Sequence, residues 1–448
     1  MLGAVDSLET DLAIIGGGIM GTSVAYQAST LGLKAIVLEN ENLRGPHYSS
    51  SLWSPRADYI PKDIDEVKRT DLACSLWQFL FPSIIRPHLF LLPVNEKTPH
   101  SFESLKSLME LYDRLTPHRL SILPSPHFVI DGASLEQMEP NIKRGHFSKA
   151  IGFYELIGDS NLVRDALWNR TLSTRPEFRK IVVNKIELKK QGDHINELTV
   201  SIKNGSFLKI YNKNNKLVVV NAAGPWINEV AGFLDIRLPV SLYAGIQLAF
   251  PQRYSFSSII LTFTEDGKYL VSVPAGDYLR VGPSNFKLKG GLIDFLSEGN
   301  QIKKHVDWIK EAFFDFVEPG FINTEPKIHA VGARVKLNLR FGIDSNRSFV
   351  IPADDYGIDN FLTVYPGKLP SALSVADELL KLTSDRGLIS DRPNFFLGPK
   401  SRLYTLVSSD NGNTRSIIFS RLKSLIIVGG KIILDKIQKA LIWGLFFT

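Results

Sequence analysis

The sequence predicts an α/β fold in two parts, one built on a parallel, doubly wound sheet and the other on a mostly antiparallel sheet with helices. Three observations carry this reading. An apolar run, Leu12 to Ile15, breaks off in Gly16-Gly17-Gly18 and leads into a helical stretch. A second buried run, Leu217 to Val220, ends in Asn221-Ala222-Ala223-Gly224, and Pro225 suits the first turn of the helix that follows. Between Leu238 and Asn285 the pattern changes to period two, with strand signals at Ser241 to Phe250, Ser258 to Phe263, Lys268 to Val273 and Tyr278 to Val281.

Taken in order, Asp11 to Glu39 reads as strand, turn, helix, strand. Gly16, Gly18 and Gly21 form a G-x-G-x-x-G. Gly16 makes the tight turn, Gly18 lets backbone approach a pyrophosphate, and Gly21 lets the helix pack closely on the strand. Ile15 closes the strand, and Ile19 and Met20 open a helix to about Leu31, with Gly32 at its left-handed cap. The N–H groups of that helix start then face an anion. Lys34 to Leu38 delivers Glu39, placed to accept from a ribose diol. Asn40 and Glu41 follow it, so a 2′-phosphate would meet negative charge, which favours FAD or NAD over NADP.

The Gly-, Pro- and Ser-rich stretch after Glu39 is a loop. Ser49, Ser50 and Ser51 there either donate to phosphate or form an exposed polar turn. Helical spacing covers Asp63 to Leu80 and Ser101 to Leu115, and Leu89 to Val94 reads as a strand. Ser134 with Gln137 suggests a capping box for a short helix, Leu135 to Met138. The run from Gly152 reads as a polar loop, with Asp159, Ser160 or Asn161 capping a helix that starts near Leu162. Strands follow at Lys180 to Leu188, Glu197 to Lys203 and Ser206 to Tyr211. Ile302, Val306, Ile309 and Phe313 mark a helix, IHAVGARVKL and SFVIPADDYGIDNFLTVYPGK read as strands, and Gly367-Lys368 enters a helix from Ser371 to Leu382.

With 448 residues, 44% hydrophobic and 22% charged, the chain has globular composition and room for two or three domains. Its 52 basic and 46 acidic residues give a net charge of +6 without a concentrated patch. That suits a small anionic substrate or an anionic membrane surface and excludes nucleic acid as a partner. Cys74 is the single cysteine, so there is no intrachain disulfide or cysteine-rich metal site, and nine histidines show no metal-ligand spacing. MLGAVDSLETD has neither the apolar core of a secretory signal nor the arginines of a transit peptide, which leaves the cytoplasm as the expected location.

With these residues in view, the chain resembles the FAD-dependent D-amino-acid-oxidase-type superfamily, and within it the flavin-linked glycerol-3-phosphate dehydrogenases. The resemblance covers about residues 9 to 385. It rests on DLAIIGGGIMGTSVAYQASTLGLKAIVLE, VVVNAAGPWINEVAG, AGIQLAF followed by VSVPAGDYLRVGPSN, HAVGARVKL and FLTVYPGKLPSALSVADEL. It implies a Rossmann-like FAD-binding domain of the glutathione-reductase type with a mostly antiparallel α+β substrate domain, D-amino-acid-oxidase-like. The expected division is 9–90, 150–236 and 335–385 for FAD and 91–149 and 237–334 for substrate, then a linker at 386–416 and an amphipathic tail at 417–448.

The resemblance further implies that Ile15, Gly16, Gly18, Ile19, Met20, Gly21 and Glu39 hold the ADP half, and that Val183 and Ile186 border the adenine. Ala223, Gly224, Trp226, Gly367, Lys368 and Leu369 lie by the rest of the cofactor, and the loop with Ser50, Ser51 and Arg56 passes the flavin ring. Arg334 and Lys368, with Arg56, then act on the substrate, binding its anionic group or polarising its reacting oxygen. Oxidising a secondary alcohol to a ketone by hydride transfer needs positive charge near the developing alkoxide. Quinone or another acceptor would take the electrons, and Ile433, Ile437, Ala440, Leu441 and Leu445 could line a helix that rests on a membrane surface or on the protein itself.

The chain departs from the family pattern at several places. It has Trp53-Ser54-Pro55-Arg56-Ala57-Asp58-Tyr59 where a His-Gly-Gly step precedes Arg-Tyr, Val335 where a proline follows the arginine, and Leu369-Pro370-Ser371 without a following arginine. Gln247 stands where some members place histidine. An L-2-hydroxyglutarate-dehydrogenase-like or amine-oxidising enzyme, or a protein that keeps FAD without catalysis, therefore stays open beside glycerol 3-phosphate oxidation.

Overall fold

The computed structural model describes residues 6–40, 52–53, 64–202, 205–251, 256–264, 267–321, 324–338, 344–345, 348–365 and 369–389. These form two sheets. The first has nine strands in the order Asp6–Glu9, Phe207–Tyr211, His194–Ile202, Arg179–Gln191, Ala35–Glu39, Leu12–Ile15, Val218–Asn221, Phe361–Tyr365, Phe349–Pro352. Its centre is parallel: Leu12–Ile15 pairs in parallel with both Ala35–Glu39 and Val218–Asn221, which pairs in parallel with Phe361–Tyr365. All four residues of Leu12–Ile15 and of Val218–Asn221 are buried, as strands covered on both faces require. Arg179–Gln191 extends the parallel part beside Ala35–Glu39 and then turns antiparallel against His194–Ile202.

The helix Ile19–Thr30 packs on this sheet and against the helices Ser160–Thr174 and Ala372–Asp385, which buries even its polar Thr22, Ser23 and Gln27. Gly32, at φ +75°, ends it, with Leu33 N–H donating back to Ala28 O at 3.1 Å. The Ile64–Leu80 helix is tied to the start of the last helix. Trp77 Nε1 donates to Pro370 O at 2.9 Å and Ser371 Oγ donates to Glu66 Oε1 at 2.7 Å.

The second sheet has eleven strands, in main order Asp344–Ser345, Lys327–Asn338, Val240–Pro251, Tyr278–Gly282, Tyr269–Ala275, Ile259–Phe263, Arg86–Val94, Lys149–Asp159, Leu52–Trp53. The Gly299–Phe314 helix packs Ile309 and Phe313 on one face, against Ala244, Ile246, Leu248 and Phe250. Phe102–Leu115 covers the opposite face of the far half with Leu105 and Met109.

Several expected elements shift. The run from Gly152 is a strand, Lys149–Asp159, because its residues pair one to one with Arg86–Val94 from Ile157↔Arg86 to Lys149↔Val94. Asp159 then caps the Ser160–Thr174 helix, accepting from Asn161 and Leu162 N–H. The short helix runs Gly132–Met138 and is capped by Asp131, whose carboxylate takes Ser134 N–H at 2.8 Å, so Ser134 is inside the helix and not its cap. Asp6–Glu9, to which the sequence pattern assigned no element, is an edge strand parallel to Phe207–Tyr211. The chain touches the second sheet at Leu52–Trp53, runs through it between Arg86 and Asp159, and returns to it from Val240–Pro251 to Asp344–Ser345. Divisions at 90, 149 and 334 thus fall inside continuous strands, where ladder hydrogen bonds hold both sides of the cut in one sheet.

Candidate functional site

The carboxyl ends of Ala35–Glu39, Leu12–Ile15, Val218–Asn221 and Phe361–Tyr365 are adjacent, and each delivers a residue group singled out from the sequence. Gly16 has φ +111°, and a Cβ there would stand 2.4 Å from Ala222 O. A Cβ at Gly21 would stand 1.9 Å from Gly16 O, so the helix begins in contact with the turn. A Cβ at Gly17 would meet Glu39 Oε2 at 2.1 Å, which puts that carboxylate directly over the loop. Gly18 differs from all three: it is exposed, and a Cβ would meet nothing within 4 Å.

Gly18 is also the N-cap of the Ile19–Thr30 helix, with no side-chain cap and no acidic residue in the first turn. The arrangement is an open cradle of backbone N–H groups at a helix start, and it fits the pyrophosphate of a dinucleotide. Met20 is buried in the core and Ile19 packs against it, so only their backbone is offered to a ligand. Glu39 Oε2 lies 3.7 Å from Lys180 Nζ, which in turn sits 4.8 Å over the Trp168 ring. Val183 is buried and Ile186 half-buried on the strand next to Glu39. Sequence reasoning missed Lys180, although it begins the strand whose later residues were singled out.

Asn221 shapes the second turn. Its buried amide donates to Ile227 O at 2.8 Å, and Ala222 N–H donates to Ile15 O at 2.8 Å, which sets the Ala223-Gly224 corner beside Gly16. Gly224 has φ +58° and opens a short 3-10 turn to Trp226, which packs against the Lys327–Asn338 strand and the second core. That corner links the glycine turn to the strand carrying Arg334.

Arg334 pairs across to Tyr243, and its neighbours Ala333 and Val335 are buried. Because Ala333 faces the core under the Gly299–Phe314 helix, Arg334 projects on the opposite face, half-buried, with Gly332 and Ala330. Gln247 lies on the same face, between the core residues Ile246 and Leu248. Arg280, 9% exposed, belongs to that face too, opposite Ala249. Its Nη1 lies 3.4 Å from His329 Nε2, and the His329 ring is 5.0 Å from that of Tyr278. Burial lowers the pKa of Arg280, and burial together with the guanidinium lowers that of His329, so the imidazole is held neutral. The alternation of Tyr278 to Val281 could have flagged Arg280, since its neighbours Leu279 and Val281 face the core.

Ser50, Ser51, Arg56, Gly367 and Lys368 lie outside the described residues, and of Leu369 only the backbone, which starts the Leu369–Ser371 turn, is described. The 417–448 tail also lies outside them. Among the described residues no cluster of three His, Cys, Asp or Glu side chains could hold a metal, and no helix is long and apolar enough to cross a membrane.

A family model described as FAD dependent oxidoreductase matches residues 11–353. Among similar proteins is glycerol-3-phosphate dehydrogenase 2 of Mycobacterium bovis, 24% identical over 292 residues, which are 62% of this chain and 47% of the relative. Another is the alpha-glycerophosphate oxidase of Lactococcus lactis, 25% identical over 250 residues, 53% of this chain and 39% of the relative. The chain thus spans about half the length, or less, of these curated relatives. Among solved structures, the glycerol-3-phosphate dehydrogenase from Bacillus halodurans, complexed with FAD, has a TM-score of 0.64 at 15% identity, covering 88% of this chain and 68% of that one. L-alpha-glycerophosphate oxidase from Mycoplasma pneumoniae, with FAD bound, has a TM-score of 0.63 at 16% identity, covering 88% and 100%. The amino acid oxidase NikD has the same fold at a TM-score of 0.61 and 16% identity, covering 89% and 100%.

Proposed function

We propose, from the premise that this chain belongs to the FAD dependent oxidoreductase family, that it oxidises sn-glycerol 3-phosphate, or a similar small anionic hydroxy compound, to the ketone. The observation that carries the cofactor half of this reading is the open face of Gly18 at an uncapped helix start, framed by Gly16, Gly21 and Glu39. Gly18 and the first-turn N–H groups receive the pyrophosphate, Glu39 accepts from the ribose, and Val183 and Ile186 border the adenine. Ala223 and Gly224 line the path onward, with Trp226, Gly367, Lys368 and Leu369 beside it and Ser50 and Ser51 donating to it. FAD, when bound, supplies a hydride acceptor.

The remaining work falls to the chain's own side chains. Arg334 presents a planar fork to the anionic group of the substrate and so fixes which carbon is presented for oxidation. Lys368, a compact charge, stands by the reacting hydroxyl and favours loss of its proton, and Arg56 adds positive charge from the loop. The antiparallel sheet is the substrate part of the molecule and the parallel sheet the nucleotide part, with the boundary at the strands reported above. Quinone or another small acceptor removes the electrons, and the 417–448 tail supplies any peripheral membrane contact.

A second reading, a 2-hydroxy acid or amine donor, is favoured by one specific feature. Leu369-Pro370-Ser371, without the arginine that follows in the family pattern, leaves this chain with one fixed cation fewer to meet a phosphate dianion. The test is direct. Purified protein should show flavin absorbance, and a panel of glycerol 3-phosphate, L-2-hydroxyglutarate and L-proline should reveal which one bleaches it. Protein that never takes up FAD would overturn the reading.

A further inference from the structure

Gln247 is 8% exposed, and its Oε1 is buried with no hydrogen-bond partner among the described residues. Asn285 has the same deficit at Oδ1. A buried carboxamide oxygen left unmatched keeps its desolvation penalty without compensation, so each such group calls for a partner. The two are close neighbours in register. Ser284 N–H donates to Ile246 O at 3.1 Å, Ile246 N–H donates to Ser284 Oγ at 2.9 Å, and Phe286 pairs with Ala244. Asn285 therefore lies opposite Gly245 and diagonal to Gln247, a spacing of roughly 7 Å.

Both carboxamides share a face. Ala244 and Ile246 belong to the core under the Gly299–Phe314 helix, and Phe286 sits against His305 of that helix at 4.6 Å between rings. Gly245, Gln247 and Asn285 consequently project the other way, onto the face of Arg334. Across the ladder Gly245 pairs with Gly332, and Gln247 pairs with Ala330. The result is a floor without side-chain bulk, with two carboxamides along one side and the Arg334 guanidinium one row further on.

We propose that Gln247 and Asn285 determine substrate specificity: they hydrogen-bond the neutral hydroxyl or amine groups of a small substrate whose single anionic end meets Arg334. This rests on the oxidoreductase reading and names the recognition chemistry of its substrate side. A carboxamide both donates and accepts and carries no charge, so the pair discriminates by hydrogen-bond pattern and adds no ionisation of its own. A substrate analogue lacking the matching group would leave the same buried oxygen atoms unpaired.

The experiment uses FAD-loaded full-length protein and three probes, sn-glycerol 3-phosphate, L-2-hydroxyglutarate and L-proline, titrated while the flavin spectrum is followed. Gln247→Leu and Asn285→Leu should keep full flavin content and parental thermal stability. Each should weaken binding of the probe that the parent prefers by about tenfold, the loss expected for a neutral hydrogen bond. Gln247→Glu should add to the binding profile a pH dependence that the parent lacks, which a purely structural role would not produce. Leucine variants that bind the preferred probe within twofold of the parent overturn this inference and leave FAD binding standing. Parent protein that takes up no FAD, or holds FAD and responds to none of the three probes, overturns the functional reading and this inference with it.

Discussion

Replacing Gly18 with alanine separates the glycine turn's role in folding from its role in binding. Gly18 has φ −69° and ψ −175°, extended backbone open to any residue, and an added Cβ would touch no protein atom within 4 Å. The apo fold should therefore lose nothing, and should gain up to about 1 kcal/mol because alanine narrows the unfolded ensemble. The same methyl would occupy the space where a pyrophosphate must approach the helix start. Forfeiting one hydrogen bond to a charged oxygen costs about 1.5–3 kcal/mol, roughly a tenfold to hundredfold weaker FAD affinity.

Two control substitutions behave in the opposite way. Gly16→Ala forces a methyl at φ +111° to within 2.4 Å of Ala222 O, and Gly21→Ala forces one to within 1.9 Å of Gly16 O. Both should lower apo stability by about 2–4 kcal/mol whether or not cofactor is present. Calorimetric melting of stripped protein, with flavin fluorescence titration alongside, reads both effects. Gly18→Ala protein that binds FAD within twofold of the parent would refute the placement of the pyrophosphate at this turn.

Arg334→Ala should retain flavin and lose about 2–4 kcal/mol of transition-state stabilisation, and Lys368→Ala should do the same through kcat; undiminished kcat/KM in either removes that residue from the site. Arg119, 1% exposed, lies 2.8 Å from Glu155, which is fully buried. Arg119→Met should cost about 3–5 kcal/mol in urea unfolding, and adding Glu155→Leu should restore most of it, because the loss comes from a buried carboxylate deprived of Arg119's charge. His305 is buried beside Phe286 and Phe295 with Nδ1 2.7 Å from Ser284 Oγ, and burial lowers its pKa to about 4. Its folded value lies below the ordinary 6.5, so the neutral ring's contribution is complete above pH 6.5 and is lost as pH falls toward 4. The loss reaches about 3 kcal/mol and should disappear from the stability profile of His305→Gln. Cys74, buried with its thiol pushed up by that burial, should resist thiol reagents until the protein unfolds.

The parallel half was legible because its signals are local. A buried strand must be apolar along its whole length, a turn at φ +111° needs glycine, and a helix ended by a left-handed residue shows Gly32. Each constraint is written within a few residues, so Leu12–Ile15, Ile19–Thr30 and Val218–Asn221 were found within a residue or so. Lys149–Asp159 was not, because the polar Glu155 sits in its middle, and what allows a charge there is Arg119, distant in sequence and contributed by a different element. The Asp131 cap was missed for a smaller reason. A helix one turn longer at its start moves the cap off the serine to the aspartate before it, and both residue types cap equally well.

The substrate side shows the same limit in its functional residues. Arg334 stood out through a motif, while Gln247, Asn285 and Arg280 share its face only through the register of three strands, which no local pattern encodes. That register also separates the charges. Arg334 lies opposite Tyr243 and Arg280 opposite Ala249, and the strand between those partners spans roughly 20 Å. One small anion cannot engage both guanidinium groups. On the proposed reading it is Arg334, one row from the glycine floor and on the strand that touches the Gly224–Trp226 corner, that meets the anionic group of the substrate. Arg280, with neutral His329 against it, then sets the polarity of the far end, and substitution there should alter KM for longer substrates before it alters the smallest one.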